Sequence, residues 1–556
     1  MSIASRLWGL ITGAPEREPV YQPSTPPPTP PPEPAESVQL TFADPTVESL
    51  CRALTRQADD HLAARLEGRA AAMQVAQSQS GLAGIALELC REARHEDDRA
   101  SLGEAALTHL KKHGAPGPWA EGLKLASTSS YAKVRWTACE QALAAAPGVP
   151  LAALGLSIAT ALPVSNWKEE RVEVARKTLE LLKDDPNARL ALAAAGTSSY
   201  ALPRGAIMET FLAEPSGDPV ALALKALDQI PTNNYAEERA LAGEEFARSL
   251  QAGRPALAMG LAAAGTSGYA LPRRILVEAA LENASVEKPQ ELAGLALAMV
   301  RAVPASNYGE EAAAAGQSLL KSLKAHPETK ELAELALAMI STSSYQLPQR
   351  MIADKVLETA ARGGTPVEAA RLAVQAIPTS NYGEEAAAAA LAALKRLRAD
   401  PVADMAVRAM ETSSYQLPQR MIAGVALEVM SSPDSPPLAQ VALRMLEAIP
   451  TSNYSEEAAE AGRAMAKVLA GRYSGARDRL DRAMQAGDSS RERVAALREA
   501  FASIQGADDD AAHIRKLAEA VTGKAEPVAI VQKEDAIIVG GVRVKVRASD
   551  ANAPRG

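Results

Sequence analysis

The stretch AIPTSNYGEEAAAAALAAL, residues 376–394, decides the fold, because two variants of its aromatic step flank it: STSSYQLPQRMIA at 341–353 and ETSSYQLPQRMIA at 411–423. In a Leu-Pro version the step ends at Tyr200, Tyr269, Tyr345 and Tyr415, with a degenerate copy at Tyr131 (TSSYAKVRW). In a Glu-Glu version it ends at Tyr235, Tyr308, Tyr382 and Tyr454, with Trp167 in the first copy (VSNWKEER). The two versions alternate strictly, and subtracting positions separates successive aromatics by 33 to 39 residues. Nine of the eleven tyrosines stand at this position, so the spacing is an internal repeat and not a matter of composition.

A short amphipathic helix is expected before each step. In VALRMLEAI, Val441, Met445 and Ile449 share one face, while Arg444 and Glu447 point away. A second helix is expected after each step. In the Glu-Glu version Asn381 reads as an N-cap, with Glu384 completing a capping box. Asn166/Glu169, Asn234/Glu237, Asn307/Glu310 and Asn453/Glu456 repeat that spacing. In the Leu-Pro version Pro348 suits a first helical turn and biases Leu347 away from the helical region.

One such helix pair cannot bury its apolar face alone, whereas stacked pairs bury a continuous core. The expected fold is all-α: a right-handed α-solenoid of about ten two-helix repeats, with a period of about 35 residues grouped in pairs of about 70. The repeats run over 128–474, with helical caps at 38–127 and 475–525. A short amphipathic helix is expected in residues 1–13, with Ile3, Leu7, Leu10 and Ile11 on one face and Trp8 at its margin. A proline-rich linker over 14–37 follows it, expected to be extended and unfolded. Near the other end, PVAIVQKEDAIIVGGVRVKVR turns to period-two alternation. It reads as a small β-hairpin or meander at 526–548, followed by a tail at 549–556.

The helical pattern from Val38 to Thr522 resembles the α-solenoid class, nearest to HEAT and armadillo-like repeats, which implies a binding scaffold. The period is similar to that of tetratricopeptide repeats, but the Trp, Gly-Tyr and Phe positions of that consensus are absent. SNYGEE resembles the base-reading positions of Pumilio repeats, and the period is similar to that of transcription-activator-like effector repeats. Both families bind nucleic acid through basic faces. Here each Glu-Glu copy sets two acids beside the aromatic, which repels phosphate.

Composition narrows the function classes. A net charge of −8 argues against an open basic surface for nucleic acid. With only four Phe and four Trp, small residues between helices must build the core. Cys51, Cys90 and Cys139 form no CxxC pair, which suits a reducing compartment and no zinc site. The longest weakly polar run, from Leu151, is too short to cross a bilayer, and a soluble, cytoplasmic protein is expected. His109 and His113 lie one helical turn apart without a third ligand, and read as a solvated helix face. There is no P-loop, no GxSxG and no GxGxxG after a strand, so no enzyme, cofactor or metal is expected.

The expected function is therefore a scaffold or adaptor binding protein partners, including peptide segments, along the repeat surface. The partner-binding candidates there are Tyr200, Tyr235, Tyr269, Tyr308, Tyr345, Tyr382, Tyr415 and Tyr454, with Asn307, Asn381 and Asn453 beside them. Leu7, Trp8, Leu10 and Ile11 form the candidate docking helix at the N-terminal end. Packing of each tyrosine against the next repeat is the competing role for the aromatic ladder. A ladder of ion pairs is also expected between Arg204, Arg273, Arg350 and Arg420 and the Glu-Glu turns. Self-assembly is the alternative function, and nucleic-acid binding a third.

Overall fold

Proline opens most of the first helices of the repeat. Pro186, Pro219, Pro255, Pro289, Pro327, Pro366 and Pro401 stand in the opening turn of their helices, where no N–H has an intrahelical partner to lose. Before four of them the residue ahead caps the helix: Asp185, Asp218, Thr365 and Asp400 accept backbone N–H groups with their side-chain oxygens. These helices alternate with a second set that starts at the aromatic steps, and together they form a run of helix pairs. The first pair is Trp119–Ala126 with Ala132–Ala144, and the last is Leu438–Ala448 with Ser455–Arg472. Helices Gln79–Glu92 and Glu96–His113 precede the run, and Arg477–Gln485 and Ser490–Ala502 follow it.

The computed structural model describes residues 79–504 except 114–117, 435 and 474–475, together with Ser49, Leu50, Arg52, Arg56 and the segments 530–533, 536–539 and 542–545. Leu7, Trp8, Leu10 and Ile11, the proline-rich linker and the expected tail lie outside the described residues. The described part holds 24 helices packed against their neighbours. Extensive helix–helix packing joins helices one, two or three places apart in chain order, so the contacts between helices stay local along the run. Among the described residues no helix is long and apolar enough to cross a membrane.

Alanine and leucine fill the core, as the scarcity of aromatics requires. Val441, Met445 and Ile449 are buried and Arg444 and Glu447 exposed, as the periodicity predicts. Glycine lets the two helices of a pair close in. A Cβ on Gly260 would stand 2.3 Å from that of Ala280 and 3.1 Å from the carbonyl oxygen of Leu276. Among the described residues, buried arginines stand in ion pairs. Arg239 meets Glu278 and Asp228, tying the Tyr235 helix to the Tyr269 helix.

The Leu-Pro turn follows from its sequence. The Thr of each step (TSSY, or TSGY at 266–269) donates its hydroxyl back to the carbonyl three residues earlier, 2.7 Å at Thr128, Thr197, Thr266, Thr342 and Thr412, closing the preceding helix. The next Ser accepts the N–H of the tyrosine at 3.1 Å in all five copies, holding that residue extended as the N-cap. Here the sequence expectation needs correcting, because Leu347 is already helical and the helix runs Gln346–Ala361. Pro348 is its third residue, so it forfeits no hydrogen bond, and the carbonyl it would clash with precedes the helix.

The Glu-Glu turn corrects a second expectation. Asn does not cap these helices: Tyr308, Tyr382 and Tyr454 occupy the N-cap position with no side-chain cap bond. The reason is the proline four residues before each aromatic. It opens a single helical turn, in which the aromatic N–H donates to the Pro carbonyl at 2.9–3.1 Å, from Trp167–Pro163 to Tyr454–Pro450. The Asn falls inside that turn, one residue short of the helix mouth. At Trp167 and Tyr235 the same geometry shows as a kink within helices Val164–Leu181 and Thr232–Leu250. The glutamates keep their expected place in the first turn of the later copies, where the helix dipole favours them.

Candidate functional site

The aromatics are not ten equivalent rungs; they meet in five edge-to-face pairs. Tyr131 meets Trp167, Tyr200 meets Tyr235, Tyr269 meets Tyr308, Tyr345 meets Tyr382 and Tyr415 meets Tyr454. Ring centroids lie 5.3–5.7 Å apart and planes cross at 65–72°. Each pair joins a Leu-Pro copy to the Glu-Glu copy after it, the geometry an aromatic quadrupole favours. The members differ in burial. Tyr131, Tyr200, Tyr269, Tyr345 and Tyr415 are 52–55 % exposed, whereas Tyr308 is buried and Trp167, Tyr235, Tyr382 and Tyr454 are half-buried. The two roles left open by the sequence are therefore divided: the inner ring packs, and the outer ring packs one edge and presents the rest. Asn307, Asn381 and Asn453 are exposed beside the inner rings.

Between clasped pairs the interface opens. One cleft of about 640 Å³ lies where the Trp167 turn faces the Tyr200 helix; Leu156, Val164, Tyr200, Leu202 and Tyr235 wall it, and Lys168 stands among them. The equivalent place two units on, of about 410 Å³, is lined by Tyr269, Asn307, Glu310, Glu311, Arg350 and Tyr382. The first is mainly apolar and the second carries both signs of charge. Val164 and Leu202 join the five outer tyrosines as the strongly exposed large apolar side chains of the described residues. Such side chains usually scatter over a surface; among the described residues they gather along one row of turns. Sequence reasoning missed Val164 and Leu202. The signal was there, an apolar residue after the turn proline and another before the helix proline, but nothing in the pattern says which way each side chain faces.

Among the described residues the expected ion-pair ladder reduces to Arg273, which meets Glu237 and Glu244, each at 2.6 Å, while Arg204, Arg350 and Arg420 form no ion pair with a Glu-Glu turn. Its hydrogen bond to Glu244, and then that to Glu237, push the guanidinium pKa up. Glu244 stands nine residues after its aromatic. In the next Glu-Glu copy that place is Gln317, which donates to Gln349 at 3.1 Å, so the rung persists with neutral partners. At the mouth of the 410 Å³ cleft, Arg350 lies among Glu310 and Glu311. In the first cleft Arg171 and Glu209 pair across the floor, and the hydrogen bonds that Arg171 donates to the Glu209 carboxylate raise its pKa.

A fit between repeats appears at the first residue of the acidic helices. A Cβ on Gly383 would stand 1.8 Å from Oε1 of Gln416, and one on Gly309 2.5 Å from Oε1 of Gln346. Where the following copy has alanine (Ala201, Ala270) in place of glutamine, the facing position is Lys168 or Ala236 instead of glycine. His109, read from the sequence together with His113 as a solvated helix face, is instead buried. No group of His, Cys, Asp and Glu able to hold a metal ion occurs among the described residues.

Helices packed on their chain neighbours, with two turn chemistries alternating between them, define a chain compatible with the helical-repeat class. Scans against protein-family models, curated proteins and solved structures find no match to the chain.

Proposed function

We propose that the chain is a right-handed α-solenoid of the HEAT and armadillo-like kind, acting without catalysis as a scaffold that holds protein segments along its aromatic row. Local helix packing supports the solenoid. A C-terminal meander belongs to this reading, supported by antiparallel backbone pairing of Ile530–Lys533 with Ala536–Val539 and of that strand with Val542–Lys545. The observation that carries the function is the confinement of exposed large apolar side chains to the turns, one outer tyrosine per pair of repeats. Half-exposed tyrosines flanked by Ser, Asn and Gln give rigid contact area with adaptable hydrogen bonding, the chemistry of peptide recognition. A row of equal sites binds a long partner many times over, so weak single contacts sum to firm attachment. The segment with Leu7, Trp8, Leu10 and Ile11 supplies a second attachment point, with a location in the cytoplasm.

Affinity capture from the native cell, with crosslinking and quantitative mass spectrometry, tests this reading. The wild type is compared with Tyr200→Ser/Tyr269→Ser/Tyr345→Ser and with a chain starting at Ser37. Loss of a partner set with the tyrosine substitutions, at unchanged helical content, is the expected result. Partners retained by that variant but lost with the first 36 residues would move the binding function off the repeat surface.

A further inference from the structure

We propose that the first cleft of the row receives an extended proline-rich segment, and that its occupant is residues 25–34 of this chain, TPPPTPPPEP. The inference rests on the reading of the row as a binding surface. Among the described residues, this cleft gathers three of the strongly exposed large apolar side chains. Val164 and Leu202, the two aliphatic residues among the strongly exposed apolar side chains, both line it, beside the half-exposed ring of Tyr200. Aromatic and aliphatic walls such as Tyr200, Val164 and Leu202 suit proline above other residues, over a floor whose ion pair, Arg171–Glu209, is internally neutralised. A polyproline II segment presents a pyrrolidine face every third residue, keeps its carbonyls free to accept hydrogen bonds, and loses little entropy on docking because it is already extended.

Reach and charge agree. Helices packed 8–10 Å apart set outer rings of successive units about 16–20 Å apart. Ten residues of polyproline II span about 31 Å, enough to cross one cleft and touch a ring on either side. The segment carries a single charge, Glu33; the cleft lining presents exposed Lys168 beside exposed Glu169, and Lys168 is the partner Glu33 would meet. The segment joins the run at the end where this cleft lies, through the chain between Pro34 and the helix that starts at Gln79. Tethering of this kind gives an effective concentration in the millimolar range, so even weak docking is occupied.

Fluorescence anisotropy of a labelled peptide, Gln22–Glu36, tests the proposal with full-length protein. The protein is used as wild type and with Pro26, Pro27, Pro28, Pro30, Pro31 and Pro32 each replaced by Ser. The serine variant is expected to bind the peptide about tenfold or more tightly than the wild type, because its cleft is no longer occupied from within. A peptide with the same six prolines replaced by serine binds neither protein. Val164→Asp and Leu202→Asp, added singly to the serine variant, each remove binding; both sites are exposed, and circular dichroism confirms the fold. Equal binding by wild type and serine variant, no binding by the serine variant, or binding that survives both aspartates would overturn the proposal. The capture experiment reads tyrosine substitutions and the residue-37 truncation, so failure there and failure here are separate results.

Discussion

One clasp can be weighed by replacing Tyr345, Tyr382 and then both with alanine. The rings meet at 5.6 Å and 65°. A covered tyrosine buries about 150–250 Å², so Tyr345, about half covered, buries on the order of 100 Å². At about 25 cal/mol per Å² that limits the loss at Tyr345→Ala to about 2.5 kcal/mol, with more expected at the better-buried Tyr382. The pair contributes a further ~0.5–1.5 kcal/mol that either single substitution removes, so the double variant falls short of the sum by about 1 kcal/mol. Because the two rings sit on adjacent repeats, this deficit belongs to the interface between them. Urea unfolding followed by helical circular dichroism, fitted with a nearest-neighbour repeat model, reads it directly. Tyr269 and Tyr382 line one cleft but belong to different clasps, and serve as the control. Additivity within about 0.5 kcal/mol at Tyr345/Tyr382, or equal coupling in the control pair, would refute the clasp.

Three further outcomes follow from local geometry. Gly383→Ala gains about 0.5–1 kcal/mol of helix propensity but forces Gln416 aside, so its stability stays near wild type; adding Gln416→Ala frees the gain, measurable as a rise in the urea midpoint. Gly260→Ala drives a methyl into Ala280 and the Leu276 carbonyl and should cost about 1–3 kcal/mol, part of which Ala280→Gly restores in the same assay. Burial pushes the Cys90 thiol up to about 12. At pH 8 it is therefore held as the unreactive thiol, and alkylation measured by mass spectrometry should reach it only as fast as the protein opens.

How much of this was legible in the sequence depends on the scale of the feature. The helix pairs and their alternation were open to reading, because a step such as TSSY recurs with its aromatic at a fixed place. The faces were too: Val441, Met445 and Ile449 point inward as their spacing demands. Cap assignment failed at Asn381 because two start signals compete there. The sequence rule weighs the Asn side chain, whereas the backbone turn begun by Pro378 puts Tyr382 at the helix mouth. Leu347 failed for a related reason, since the bias imposed by the following proline is small against a whole helix packing on its neighbours. The pairing of tyrosines was illegible because it depends on ring direction across two turns, which residue spacing does not encode. The starts at Asp185-Pro186 and Asp400-Pro401 were readable as capped prolines and were simply outweighed by the aromatic pattern.

The alternation of turn types is what makes clasps possible. In an array of identical repeats every ring would be a translated copy of the last, near-parallel to both neighbours and paired with neither in particular. Here the same residue type takes two backbone conformations: Tyr345 is extended at φ −90°, ψ 131°, and Tyr382 sits at φ −128°, ψ 39°. That difference re-aims one ring, lets it meet the edge of its predecessor, and leaves the following interface without a partner, where the cleft opens. Replacing Thr379–Ala386 with TSSYQLPQ would put two extended tyrosines in sequence. The inner ring then leaves in the same direction as the outer one, the clasp at Tyr345 is lost, and the nearest-neighbour fit should show one interface weakened by about 1–2 kcal/mol. Unchanged coupling between Tyr345 and the transplanted tyrosine would mean that ring direction is set by packing around the helices and not by the turn.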